Sequence, residues 1–180
     1  MATPCSHRCW IIGYGNPQRR DDGIGPFVVN RLKGILEHKK EVRLLALHQL
    51  AVDQVEQLCK ADLLLFVDAT VENLDGGRTW HRVSPETRNR PYLTHHVQPS
   101  YLLGLIQALY HRSIPAWLVS IQGDDFGFGD KLSPWAERRA EKVSWEILQF
   151  IEKRSTMRKS IKTYKDTGVN HGKPSRHPYY

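Results

Sequence analysis

The chain has 180 residues, room for one compact domain. Its formal net charge of +7 comes from 26 Lys and Arg against 19 Asp and Glu, but eight of those bases and one of those acids lie in residues 153–180, so residues 1–152 carry no net charge. A basic balance confined to one end excludes reading the whole fold as a nucleic-acid binder. An apolar share of 40% excludes wholesale disorder, and no apolar run reaches the ~20 residues that a membrane-spanning helix takes.

Residues 1–8 form a short polar extension without an apolar stretch of signal-peptide length. Trp10-Ile11-Ile12 before Gly13 predicts a short buried strand. Ile24, Val28, Leu32 and Ile35 recur at helical spacing and predict one face of a helix. Residues 42–47 predict a second strand, and Val52, Val55 and Leu58 a shorter helix. The run Leu63-Leu64-Leu65-Phe66-Val67 predicts a strand buried on both faces and closed by Asp68. Asp75-Gly76-Gly77 predicts a turn and residues 79–83 an edge strand. Residues 99–110 predict a helix with Leu102, Leu105, Ile106 and Leu109 on one face, and residues 116–121 another buried strand. Ser133-Pro134 predicts a helix start, a capping hydroxyl followed by Pro at the first helical position. Ala136, Ala140, Val143, Ile147 and Ile151 carry its apolar face to the helix end. The organisation expected is a folded domain over residues 9–152 and a basic tail over 153–180, too poor in apolar surface to offset its ordering entropy. Three cysteines, an odd number, point to reduced thiols and the cytoplasm, with Cys9 and Cys59 as packing residues.

Strands alternating with helices predict an α/β fold, a mostly parallel twisted sheet with helices on both faces. In such sheets ligands bind at the carboxyl ends of the strands. Three features fall at that rim. The first is the loop Gly13-Tyr14-Gly15-Asn16-Pro17-Gln18-Arg19-Arg20-Asp21-Asp22-Gly23-Ile24-Gly25. It has two glycines of a dinucleotide fingerprint, but Gln18 stands where the third belongs. Asp21 and Asp22 sit where the next helix begins, a place whose free N–H groups favour anions. Two carboxylates there would cap the helix or hold a cation, and they would repel a phosphate. The second feature is Asp68, costly at the end of a buried strand unless paired or metal-bound. The third is Thr94-His95-His96 before a helix. Each alone fits a cap or a surface residue. Together, two carboxylates and an imidazole suit a divalent transition metal with water in the open positions, and residue type does not choose among Ni, Zn, Mn, Fe and Co.

G-x-G-N-x-x-x-x-D-D-G-x-G, an apolar strand ending in Asp, and a Thr-His-His stretch in that order resemble the hydrogenase maturation endopeptidases, which process the large subunit of [NiFe] hydrogenases. His48-Gln49-Leu50, Gln122-Gly123-Asp124-Asp125-Phe126 and Leu132-Ser133-Pro134 fit as well, so the resemblance spans roughly residues 9–152. It implies a three-layer α/β/α, phosphorylase/hydrolase-like fold and an aspartic-type-like endopeptidase that cuts a C-terminal extension from the large-subunit precursor after nickel insertion. It also implies that nickel, either resident or supplied by the substrate, is held by Asp22, Asp68 and His95, with His96 as the alternative ligand. Asp22 stands where many relatives have Glu. Arg19 and Arg20 stand where the family has apolar or small residues, and they would weaken cation affinity unless paired with Asp21 or with carboxylates of the substrate.

The hydrolytic group is less directly indicated. Neither a G-x-S-x-G elbow nor a Cys beside a candidate His base is present. Metal-assisted hydrolysis is the expectation, with Asp22 or Asp21 relaying the proton. Gly15, Asn16, His48, Gln49 and Asp124 are expected at the substrate groove, although Asp124-Asp125 also fit a turn. The partner is the large-subunit precursor and the expected state a monomer. Two rival readings are a non-enzymatic nucleotide- or flavin-binding module of the same fold class, and nucleic-acid or membrane association through the basic tail.

Overall fold

The structure, a computed structural model, describes residues 8–86 and 97–166. Internal contacts divide the chain into two units, Met1–Trp145 and Glu146–Tyr180. The first unit holds a five-stranded sheet: β1 (Cys9–Tyr14), β2 (Val42–Leu47), β3 (Leu63–Thr70), β4 (Arg78–Arg82) and β5 (Ala116–Gln122). Its order is β2-β1-β3-β5-β4. The β1/β2, β1/β3 and β3/β5 pairs are parallel, and β4 lies antiparallel on the edge. The helices are α1 (Ile24–Leu36), α2 (Val55–Leu58), α3 (Pro99–Tyr110) and α4 (Pro134–Asp166). This is the expected α/β fold with a mostly parallel sheet.

The central strands are buried over consecutive residues because both faces of the sheet are covered. Trp10 and Ile12 of β1 and Leu64 and Phe66 of β3 pack with Leu58 of α2 and with Leu102, Leu103 and Ile106 of α3. On the other face α1 lies against β1, β2 and β3, with Ile24, Val28, Val29 and Leu32 all fully buried. The start of α4 stands beside α1, joined by an Arg31–Glu141 ion pair at 3.2 Å. Ser133 caps α4 as expected: its Oγ accepts the Ala136 N–H at 3.3 Å and its carbonyl the Glu137 N–H at 3.0 Å.

Four local expectations are corrected. The buried stripe of α1 ends at Leu36 (2% exposed), not Ile35 (46%): it continues in steps of four from Ile24, Val28 and Leu32, a row that winds slowly round a helix of about 3.6 residues per turn. Val52 is exposed, and the chain enters α2 through a 3-10 turn over Val52–Gln54. Leu109 is exposed while Leu103 is buried. The strand β3 continues past Asp68 to Thr70, because Asp68, Ala69 and Thr70 still pair with Ser120, Ile121 and Gln122 of β5. In addition α4 runs on to Asp166, beyond the apolar stripe that ends at Ile151. Among the described residues no helix is long and apolar enough to cross a membrane.

Sheet order places the site. From β1 the chain goes out to β2 and then returns to the other side of β1 for β3, so α1, after β1, and α2, before β3, lie on opposite faces. The gap between the carboxyl ends of β1 and β3 is therefore a topological switch point, where open α/β sheets bind ligands. Gly13 pairs with Val67 there. One step further in the same register stand Tyr14 and Asp68.

Candidate functional site

The first loop is built on backbone that only glycine tolerates easily. Gly15 has φ +136°, and a Cβ on it would lie 1.9 Å from the Asp22 carbonyl oxygen. The chain doubles back so tightly that the Asn16 N–H donates to Asp22 Oδ2 at 2.7 Å. Asn16 Oδ1 accepts the Gln18 N–H at 2.9 Å, and the Asn16 carbonyl accepts the Arg19 N–H at 3.0 Å. A short 3-10 turn over Arg20–Gly23 then leads into α1. Gly13 lets α1 sit this close, since a Cβ there would lie 2.0 Å from the Gly25 carbonyl oxygen.

The two adjacent acids part company in that turn. Asp21 is fully buried. Its Oδ1 accepts the Ser133 N–H at 2.6 Å, and its Oδ2 accepts the N–H groups of Asp124 (2.7 Å) and Asp125 (2.9 Å) and the Ser133 hydroxyl (2.8 Å). Burial alone would raise its pKa, but these four donors outweigh it and hold the carboxyl below the usual range. Asp21 is thus an anion clasped by the segment after β5. Both of its oxygens are engaged there and it is not among the residues that line the cleft, so it is not placed for the proton relay expected of it. Asp22 is partly buried and lines the cleft; its Oδ1 accepts no hydrogen bond from the described residues.

Asp68 faces the same space from β3. Its Oδ1 accepts the Ala69 N–H at 2.9 Å. Burial, with a smaller contribution from the Asp22 charge, pushes its carboxyl up to about 6 despite hydrogen bonds from Tyr14 and Ala69. Burial and the neighbouring Asp68 charge drive the Tyr14 phenol well above its ordinary range, so it stays a proton donor to Asp68. Tyr14 was not singled out in the sequence. Its signal was the strand alternation, which puts Trp10, Ile12 and Tyr14 on one face of β1 and Leu64, Phe66 and Asp68 on the same face of β3.

These groups line a cleft of about 600 Å³. Gly15, Asn16, His48 and Gln49 line it together with Tyr14, Asp22 and Asp68, as do Val97 and Gln98 where the described chain resumes. Asp124 is not among the lining residues; it is bound by Arg139 at 2.7 Å. His95 and His96 lie outside the described residues. Among the described residues no group of three His, Cys, Asp or Glu side chains is close enough to hold a metal ion. What the cleft offers a cation is the pair of hard oxygen donors, Asp22 and Asp68, which suits a divalent metal only with further donors from elsewhere. The arginines separate as well. Arg20 pairs with Asp125 at 2.5 Å, whereas Arg19 lines the cleft.

No protein-family model and no curated protein matches the chain. Solved structures do. The chain is similar to HycI, a [NiFe] hydrogenase maturation protease from Thermococcus kodakarensis, at 25% identity over 81% of this chain and 92% of that one, with a TM-score of 0.63. It shares its fold with the hydrogenase maturating endopeptidase HybD from E. coli (18% identity, 82% and 93% covered, TM-score 0.62) and with a hydrogenase 3 maturation protease (20% identity, 77% and 88% covered, TM-score 0.57). The resemblance drawn from the loop and strand motifs is therefore matched by the fold.

Proposed function

We propose that this chain is an endopeptidase of the hydrogenase maturation type, which removes the C-terminal extension of a [NiFe]-hydrogenase large-subunit precursor after nickel insertion. The observation that carries the reading is the pair Asp22 and Asp68. They come from segments far apart in sequence and line one cleft at the switch point, in a fold similar to HycI at 25% identity.

In this reading nickel belongs to the substrate. Asp22 and Asp68 supply oxygen donors toward it, and the family resemblance adds the imidazole of His95, or of His96 beside it. Asp22 Oδ1 has no bond partner among the described residues, so it takes the proton of the attacking water and returns it to the leaving amine. Tyr14 orients the Asp68 carboxylate by a hydrogen bond. Asp21 holds the loop that carries Asp22. A nucleotide or flavin is disfavoured, because its phosphates would meet the carboxylates of Asp22 and Asp68 in the cleft.

The test is processing of nickel-loaded and nickel-free precursor by wild type, Asp22→Ala, Asp68→Ala and His95→Ala, read by mass spectrometry as loss of a C-terminal peptide. Nickel-dependent cleavage by wild type alone is expected. Cleavage that survives all three substitutions would discard the metal-reading site, and no cleavage of nickel-loaded cognate precursor by wild type would discard the peptidase reading.

A further inference from the structure

Arg19 is exposed, yet its guanidinium is held from two sides. Its Nη2 donates to the Phe126 carbonyl at 3.0 Å, and its Cζ lies 5.5 Å from the centroid of the Phe128 ring. Phe128 itself is 86% exposed, and its backbone is fixed by Arg20, whose Nε donates to the Phe128 carbonyl at 3.2 Å. A large apolar ring standing in water to brace a cation is a costly way to build a loop. Arg20 already straps that loop through Asp125, so Arg19 is not needed for that task.

Among the described residues Arg19 is the one Arg or Lys lining the cleft, and it has no carboxylate partner there. Asp22 and Asp68 line the same space, so a substrate segment bearing a negative charge would be repelled there without a compensating cation. A guanidinium offers a planar fork of donors that matches a carboxylate, and one already braced loses little freedom on binding it.

We infer that Arg19 is a specificity-determining residue that binds a carboxylate of the substrate segment lying in the cleft. This rests on the peptidase reading. The carboxylate comes from an Asp or Glu side chain of the extension or from its free C-terminus.

Steady-state processing of nickel-loaded precursor by wild type, Arg19→Gln and Arg19→Lys tests it, with thermal melts to verify the fold of each variant. Two altered precursors separate the sources: one with the extension's acids changed to amides, one with two glycines added to displace its terminus. Arg19→Gln is expected to raise KM about tenfold, the worth of one charge-assisted contact at a partly exposed site, with the loss in KM rather than kcat. Arg19→Lys recovers only part, since it keeps the charge and loses the fork. One altered precursor reproduces the loss with wild type and adds nothing with Arg19→Gln: the amide form identifies a side chain, the glycine form the terminus. Equal KM for wild type and Arg19→Gln, or a loss that follows melting temperature and kcat, overturns the inference alone. Absence of processing by wild type overturns the peptidase reading and the inference together.

Discussion

Asp21→Asn is the substitution whose cost can be worked most directly. Asp21 Oδ2 accepts three hydrogen bonds and Oδ1 one, all at 2.6–2.9 Å, and the residue is fully buried. Asparagine keeps one oxygen, which can serve Asp124, Asp125 and the Ser133 hydroxyl. Its amide nitrogen then faces the Ser133 N–H, donor against donor. A hydrogen bond to a charged group contributes ~1.5–3 kcal/mol and a neutral one about 1 kcal/mol, while a buried donor left unpaired costs ~1–3 kcal/mol. Weakening three bonds and breaking the fourth therefore costs roughly 3–5 kcal/mol, a large part of a typical 5–15 kcal/mol stability. The pH dependence has a definite sign. The folded pKa of Asp21 is lowered, so its contribution is complete above the ordinary value near 4 and disappears as pH falls through the folded value. Urea titrations of both proteins at pH 7 and through the acid range measure this. The variant is expected to lose stability at pH 7 and to approach wild type as pH falls well below 4. A loss at pH 7 under about 1 kcal/mol would refute the assignment of Asp21 as the clasp of the segment after β5.

Asp68→Asn is expected to act in the opposite direction. The Asp68 carboxyl is pushed up to about 6, so folding favours its protonated form, and stability is lost as pH rises from the ordinary value near 4 through 6, by at most roughly 2–3 kcal/mol. The asparagine variant should therefore be the more stable protein at pH 7 while processing is lost; a variant that gains no more at pH 7 than at pH 4 would contradict this. Tyr14→Phe removes a hydrogen bond that lowers the Asp68 pKa, so the Asp68 titration followed by carboxyl NMR should move further up, and a downward movement would contradict the pairing. Gly15→Ala places a Cβ 1.9 Å from the Asp22 carbonyl oxygen at φ +136°. It should cost more than about 2 kcal/mol in a denaturant titration and reduce processing by displacing Asp22, and a fully stable, active variant would count against the tight loop.

Asp68 sits where its charge is disfavoured by burial, and the Asp22 charge adds to that. Asp21, one residue away from Asp22, lowers the energy of the fold.

Much of this was legible in the residues. The apolar runs ending at Gly13 and Asp68 placed β1 and β3, because burial on both faces of a parallel sheet demands them, and helical spacing of leucines placed α3. Asp68 closing one run, and Gly15-Asn16 with Asp22 in the first loop, marked the cleft because few structural roles need those residue types there. Tertiary structure decided the rest. Asp21 and Asp22 are chemically identical neighbours, and only the approach of Asp124, Asp125 and Ser133, more than a hundred positions away, makes one a clasp and leaves the other in the cleft. Arg19 and Arg20 are divided the same way by Asp125 and Phe128. Leu36 rather than Ile35 is buried because the sheet sets the angle of α1. Local pattern reports what a segment can bury; which of two equal side chains turns inward depends on partners that reach it only when the chain has folded.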